Sequence, residues 1–140
     1  MVVKVYYVDV NVFVYWLGGH PEFGVKALEW IREMERAPRG GFITSTLAVY
    51  EALVILAGLS GRSLKDVDFV ATVTEGIMQL RGLSIEPLMP VDMRAAHELM
   101  ERYDLDYEDA LHVAVALRVG ADAVISNDKD LERGPLKRVF

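Results

Sequence analysis

The sequence predicts an α/β protein in which helices cover both faces of a mostly parallel sheet of four to five strands. Short runs rich in β-branched and aromatic residues alternate along the chain with longer segments of helical periodicity. Such alternation implies right-handed crossovers, which place the strands parallel and the helices on both faces. Residues 1–140 contain no internal repeat, linker or low-complexity tract, so we expect one domain.

The first two elements are predicted from a buried strand and the break that follows it. Residues 2–8 are apolar and aromatic except for Lys4, which is typical of a strand. Asp9 is then placed to cap a short helix at 10–17, which Gly18 ends.

The next three elements follow from their end signals. His20, with a proline after it, is expected to open a helix whose apolar residues recur at helical spacing. Residues 42–44 form a predicted strand. Ser45 or Thr46 then caps a strongly apolar helix that Gly58 closes.

The second half of the chain repeats the alternation of helix and strand. Glycines break the predicted helices, and Ser or Asp residues precede them. In order, the predicted elements are a helical region at 63–80 capped by Ser63, a strand at 83–88, a helix from Asp92 to Tyr103, a helix from Asp106 to Val119, a strand at 121–125 and a short strand at 136–140.

Composition limits the classes of function. The net charge of -6 argues against a protein coated with basic surface, although a local basic strip could still bind phosphates. The absence of cysteine excludes disulfides and thiolate zinc sites. No signal peptide or apolar run long enough to span a bilayer is evident, so we expect a cytoplasmic protein without membrane contact.

Acidic residues follow two of the predicted strands. Asp9 comes directly after the first strand, and Asp128 follows the strand at 121–125. Because ligands gather at the carboxyl ends of parallel strands, the two carboxylates are predicted to lie at one site.

Glu51 is the least expected residue of the sequence. It interrupts an apolar helix, and the positions three and four residues away offer it no basic partner. It could still face solvent through a narrow polar stripe. A carboxylate without a local partner, shortly after a strand, is nonetheless a candidate ligand for a cation.

Asp109 lies in the first turn of the last predicted helix, three residues after Asp106. A capping box explains this spacing, Asp9 could be a simple helix cap, and Asp128 could be a turn residue. These separate explanations nevertheless do not account for the occurrence of all four acids at strand ends and helix starts.

A cluster of ionised carboxylates needs cations. Two carboxylates about 4 Å apart repel by about 4 kcal/mol at an effective dielectric constant near 20. Oxygen ligands without cysteine favour Mg²⁺ or Mn²⁺. Such ions support hydrolysis of phosphodiesters, with water rather than a protein side chain as the nucleophile.

The sequence resembles the PIN-domain nucleases, which include the VapC-type toxins of toxin–antitoxin pairs. The resemblance extends over nearly the whole chain and departs from the usual family pattern at Ser126, where threonine is common. It rests on four segments, which are YVDVNVF at 7–13, STLAVYEAL at 45–53, DALHVAVAL at 109–117 and VISNDKDL at 124–131.

This resemblance implies a three-layer α/β/α sandwich, single-stranded RNA as the substrate, a homodimer and an antitoxin partner. By the same likeness the metal-binding acids would be Asp9, Glu51, Asp109 and Asp128. Asn11 and Ser126 would be polar supports, and Asp106 and Asp130 would be auxiliary acids. We therefore predict a Mg²⁺- or Mn²⁺-dependent endoribonuclease.

Two further residues near the acids have two interpretations each. Lys129 lies between two acids and is the best candidate for contact with a phosphate, although it could equally serve solubility. His112 follows Asp109 by three positions, and packing within a core helix is the favoured interpretation over a place in the site.

Two other functions remain open at this stage. A haloacid-dehalogenase-type phosphatase would use Asp9 as its nucleophile, but Asn11 stands where its second aspartate is expected. A catalytically silent module that binds RNA or protein would retain the acids without turnover. The overall acidity favours that module, and the complete set of four acids opposes it.

Overall fold

The computed structural model describes residues 4–140 and contains a five-stranded sheet in which every strand pair is parallel. The strand order is β3-β2-β1-β4-β5. The strands are β1 (Tyr6–Val8), β2 (Phe42–Ser45), β3 (Leu83–Glu86), β4 (Ala123–Ile125) and β5 (Lys137–Val139). The predicted parallel sheet is thus confirmed. Residues 2 and 3 of the predicted first strand lie outside the described residues, and Lys4 and Val5 precede β1.

Six α-helices lie between these strands within residues 4–140. Side-chain oxygens of Asp9, Ser45 and Asp106 accept backbone N–H groups in the first turns, as the capping preference predicts. The helices are α1 (Val10–Leu17), α2 (Gly24–Arg36), α3 (Thr46–Ser60), α4 (Val67–Met78), α5 (Pro90–Tyr103) and α6 (Tyr107–Arg118).

Two helix bounds differ from the prediction in the first half of the chain. Helix α2 begins at Gly24 because His20 Nδ1 accepts the N–H groups of Glu22 and Phe23 and holds that stretch in a turn. Helix α3 continues through Gly58, since a glycine inside a helix is tolerated at modest cost. It ends before Gly61, whose φ of 70° is left-handed.

Two helix starts differ in the second half. Helix α4 is capped by Asp66 rather than Ser63, whose hydroxyl instead accepts the N–H of Lys65. Helix α5 begins at Pro90, and Asp92 lies in its first turn, where the carboxylate accepts the N–H of Met89. Proline suits a first helical position because its missing N–H would have no partner there.

The core is divided between the two faces of the sheet, which confirms the three-layer arrangement. Val8 and Ile125 pack with buried residues of α1, α2, α3 and α4 on one face. Tyr7 and Val124 pack with α5 and α6 on the other face. Side chains of a strand alternate between faces, so neighbouring residues of β1 and β4 enter different cores.

The strand order reverses next to β1, and this reversal determines where a site can form. The chain proceeds outward from β1 to β2 and β3, then returns to place β4 on the other side of β1. A crevice forms at the carboxyl ends of strands at such a switch point. Asp9 and Ser126 follow β1 and β4 at this edge. Residues 4–140 contain no helix that is long and apolar enough to cross a bilayer.

Candidate metal centre

Asp9 is held at the end of β1 by two hydrogen bonds. Its Oδ1 accepts the N–H of Val10 at 2.8 Å, and its Oδ2 accepts the Ser126 hydroxyl at 2.7 Å. The residue is only 5% exposed. Each carboxylate oxygen carries a second lone pair that these bonds leave for a cation.

Ser126 connects the ends of β1 and β4. Its Oγ accepts the side-chain amide of Asn11 at 3.1 Å and the N–H of Asp128 at 3.0 Å. Asn11 also accepts the N–H of Asn127 at 3.3 Å. Asn11 therefore acts here as a bridging amide, which fits the predicted support and not the acid of a phosphatase.

Three acids meet beside this connection. Carboxylate oxygens of Asp109, Asp128 and Asp130 lie within 4.8 Å of one another. Asp128 caps a short 3₁₀ helix, Lys129–Arg133, that the sequence did not predict. Asp106 caps α6 through a bond of 2.8 Å to the N–H of Asp109, so its geometry is that of a helix cap.

The Asp109 carboxyl shows the electrostatic effect of this arrangement. Its pKa is raised to about 7, first because it is buried and then because Asp128, Asp106 and Asp9 add negative charge. Within residues 4–140, the ion pairs do not include Asp109 or Asp128. A bound cation would supply the charge that this group lacks.

Glu51 lies in a second group, together with Glu108 and His112, whose ligand atoms are also within 4.8 Å of one another. Glu51 Oε1 lies 2.5 Å from His112 Nε2. Burial opposes ionisation of Glu51, but hydrogen bonds from His112 and Glu108 outweigh it and lower the pKa of Glu51. The hydrogen bond with Glu51, followed by burial, raises the pKa of Glu108 to about 7.

His112 links the two groups of acids. It is 1% exposed, and its Nε2 lies 3.8 Å from Asp9 Oδ1 as well as beside Glu51. Burial disfavours its charge, yet Glu51 and Asp9 raise the pKa of His112 above its usual value. The sequence interpretation of His112 as a packed core histidine is right about burial and misses these contacts.

The structure thus places all four predicted acids at one end of the sheet, in two groups. Asp109 and Asp128 join Asp130, Glu51 joins Glu108, and Asp9 is tied to both groups through His112 and through its effect on Asp109. Glu108 was not predicted, because an acid in the first turn of a helix ordinarily reflects only the helix dipole.

The donor set fits a hard divalent cation. The atoms available to a cation are carboxylate oxygens, because both ring nitrogens of His112 are already hydrogen-bonded. Oxygen ligands of this kind suit Mg²⁺ or Mn²⁺. Burial first, and then repulsion from neighbouring carboxylates, raises the pKa of Asp109, and a bound cation would relieve this repulsion. The residues present therefore fit the cation that the sequence predicts.

Lys129 is the basic residue best placed beside the acids. It is exposed as the first residue of the 3₁₀ helix, adjacent to Asp128. Arg133 pairs with Asp104 and Asp130, while Arg138 pairs with Glu132 and donates to the backbone oxygen of Ser126. The ion pairs of residues 4–140 do not include Lys129, so its charge is available to an outside anion.

The sequence matches a known protein family over most of its length. The family model of the PIN domain matches residues 6–135. No curated protein matches the sequence significantly.

Solved structures share the fold at low identity. VapC20 of Mycobacterium tuberculosis, described as a sarcin-ricin loop cleaving toxin, is 16% identical with a TM-score of 0.72, covering 91% of this chain and 92% of that chain. VapBC2 of Rickettsia felis, bound to a promoter DNA fragment, is 20% identical with a TM-score of 0.67, covering 97% and 98%. A toxin–antitoxin complex from Klebsiella pneumoniae is 19% identical with a TM-score of 0.63, covering 96% and 95%.

Proposed function

The chain belongs to the PIN-domain family of nucleases, and from this premise we propose that it is a metal-dependent endoribonuclease that hydrolyses phosphodiester bonds in single-stranded RNA. The observation that carries the proposal is the meeting of Asp109, Asp128 and Asp130 beside Asp9, with no lysine or arginine among residues 4–140 paired to Asp9, Asp109 or Asp128. A site built for a cation explains this excess of negative charge better than a structural role does.

We assign the binding of Mg²⁺ or Mn²⁺ to Asp9, Glu51, Asp109 and Asp128, with Asp106 and Asp130 as auxiliary acids. When bound, the ion neutralises phosphate oxygens and makes water a better nucleophile. Ser126 and Asn11 orient the Asp9 carboxylate through the hydrogen bonds described above. Lys129 is proposed to contact the RNA backbone, where a point charge suits a phosphate.

The printed descriptions of the structural neighbours support a role as the toxin of a toxin–antitoxin pair. An antitoxin requires an apolar surface, and a groove of about 430 Å³ runs between α1, α3 and α4. Beside it, Leu59 is 72% exposed. We place the antitoxin contact at this groove, and copurification with the neighbouring gene product would test it.

We also propose a homodimer and a cytoplasmic location, with residues 1–140 acting as one domain. Exposed Tyr50 and Met78 line a second apolar groove of about 390 Å³ between α3 and β3, which is suited to a second copy. Sedimentation of the wild type and of Tyr50→Asp would test the dimer. The proposed cytoplasmic location is compatible with the proposed RNA substrate and with a sequence that contains no cysteine.

The decisive experiment measures cleavage of a single-stranded RNA pool by the wild type and by Asp9→Asn, with Mg²⁺, Mn²⁺ or EDTA. We expect cleavage that requires the metal and falls at least about 100-fold in the variant. Asp68→Asn, an exposed aspartate of α4, is the matched control and should cleave like the wild type. RNA binding without cleavage under every metal would favour the silent binding module instead.

A further inference from the structure

Three buried polar side chains and the half-buried Glu51 form a continuous array behind the candidate metal centre. Ser45 Oγ lies 2.8 Å from Tyr7 Oη, which lies 2.7 Å from His112 Nδ1. His112 Nε2 in turn lies 2.5 Å from Glu51 Oε1. Ser45, Tyr7 and His112 are all at most 1% exposed, so water does not compete for these bonds.

We propose that His112 is a positioning residue that holds the Glu51 carboxylate at the metal centre, and that Tyr7 and Ser45 fix the orientation of its ring. This inference rests on the proposed function only in assigning Glu51 to the metal. Ser45, Tyr7 and His112 are buried, and Glu51 is the one member of the array that is assigned to the cation.

The array begins and ends on the same helix. Ser45 caps α3, where its Oγ also accepts the N–H of Ala48 at 3.1 Å. Glu51 lies further along α3. The array therefore passes from the start of α3 through β1 to α6 and back to α3, and it connects the three elements that carry Asp9, Glu51 and Asp109.

Each bond in the array restricts a specific rotation. A glutamate has three rotatable side-chain bonds, so Glu51 alone would sample several positions. The bond to Nε2 selects one of them, and the bond between Nδ1 and Tyr7 Oη prevents the imidazole ring from turning away. Such outer partners of a metal ligand typically change metal affinity by about 10- to 100-fold when removed.

The position of His112 also explains why the centre needs it. Asp109 and His112 are three residues apart on α6 and share one face of the helix. One helix thereby contributes a carboxylate to one group of acids and a positioning nitrogen to the other. The spacing between the two groups is then determined by α6 and not by flexible side chains.

The test measures Mn²⁺ affinity by electron paramagnetic resonance titration for the wild type, Tyr7→Phe and His112→Leu, well below their melting temperatures. We expect the dissociation constant to rise about 3- to 10-fold for Tyr7→Phe, which acts from a distance, and about 10- to 100-fold for His112→Leu. His112→Gln, which retains a donor near the Nε2 position, should recover part of the loss.

The matched control is Tyr6→Phe. Tyr6 is the neighbouring residue of β1, faces the opposite side of the sheet and packs against Trp30 and Phe42. A purely structural effect of losing a tyrosine hydroxyl would lower the melting temperature in either variant without changing Mn²⁺ affinity. We expect Tyr6→Phe to bind Mn²⁺ like the wild type.

A double-mutant cycle identifies the residue through which Tyr7 acts. In a Glu51→Gln background, Tyr7→Phe should no longer change Mn²⁺ affinity, because the carboxylate that it positions is gone. Equal effects of Tyr7→Phe in both backgrounds would overturn the proposal, as would Mn²⁺ affinities within twofold of the wild type for both Tyr7→Phe and His112→Leu. If Mn²⁺ affinity responds as expected but no RNA is cleaved, the positioning role stands and the proposed nuclease function fails.

Discussion

Ser126 donates its hydroxyl hydrogen to Asp9 Oδ2 at 2.7 Å, and this bond joins the carboxyl ends of β1 and β4 across 117 positions of the sequence. Ser126 is fully buried and also accepts hydrogen bonds from Asn11 and from the backbone of Asp128. The Ser126 hydroxyl therefore hydrogen-bonds with the Asp9 carboxylate, the Asn11 side-chain amide and the backbone N–H of Asp128.

Replacing Ser126 with alanine removes a donor from Asp9 and an acceptor from Asn11 in a buried place. We expect Ser126→Ala to lower the free energy of unfolding by about 1 to 3 kcal/mol, the usual cost of leaving buried polar groups without partners. Urea denaturation measures this cost. Ser84→Ala, at a half-buried serine of β3, is the control and should change stability by less than half as much.

The raised pKa values of Asp109 and Glu108, each about 7, make the stability of the metal-free protein depend on pH. In the unfolded chain both carboxyls ionise near pH 4, so raising the pH from about 4 to about 7 favours the unfolded state. In EDTA, the ionisation of these two carboxyls should therefore lower the melting temperature as the pH rises over this range. Asp109→Asn should make the fall shallower.

Adding Mn²⁺ should reverse this loss. The stabilisation by the metal should be larger at pH 8 than at pH 5, because protons and the cation compete for the same carboxylates. Thermal denaturation at both values of pH, with Mn²⁺ and with EDTA, provides the measurement. An equal effect of Mn²⁺ at both values would argue against binding at these acids.

Lys129 should contribute to RNA affinity without contributing to sequence preference. We expect Lys129→Ala to weaken binding uniformly across RNA sequences and to reduce the slope of log affinity against log salt by about 1. Binding is best measured with Asp9→Asn protein, which is not expected to cleave. Lys65→Ala, an exposed lysine between α3 and α4, should leave the slope unchanged.

Arg118 should stabilise the start of α5 through Asp92. The guanidinium donates to both carboxylate oxygens, at 2.8 and 3.0 Å, and Asp92 is 1% exposed. Arg118→Met leaves this buried carboxylate without its cation, which should cost about 2 to 3 kcal/mol in urea denaturation. Arg102→Met, which removes an exposed arginine of α5, should cost much less. Comparable losses in the two variants would show that the ion pair contributes little.

The sheet and the placement of the four acids at one end of it were predictable because their signals are local. Each acid has its own signal within a few residues. Asp9 and Asp128 follow strands, Asp109 lies in the first turn of a helix, and Glu51 interrupts an apolar helix. The start of α2 was not predicted, because it depends on a turn formed by the ring of His20 rather than on the proline that follows.

The contacts of His112 could not be predicted for a different reason. Glu51 lies 61 positions away and Tyr7 lies 105 positions away, so nothing near His112 in the sequence distinguishes it from a packed core residue. Glu108 is hidden in the same way, since only the tertiary fold places it beside Glu51. Long-range packing determines these two members of the site.

The position of β4 beside β1 has a consequence for the protein during its own synthesis. Because synthesis proceeds from the N-terminus, β1 and Asp9 leave the ribosome before β4, and Ser126 is added only 117 residues after Asp9. Until then one edge of β1 has no partner strand, and the acids have no common place to meet. Nascent chains therefore carry no assembled centre, and the message being translated meets the proposed nuclease only after translation has passed β4.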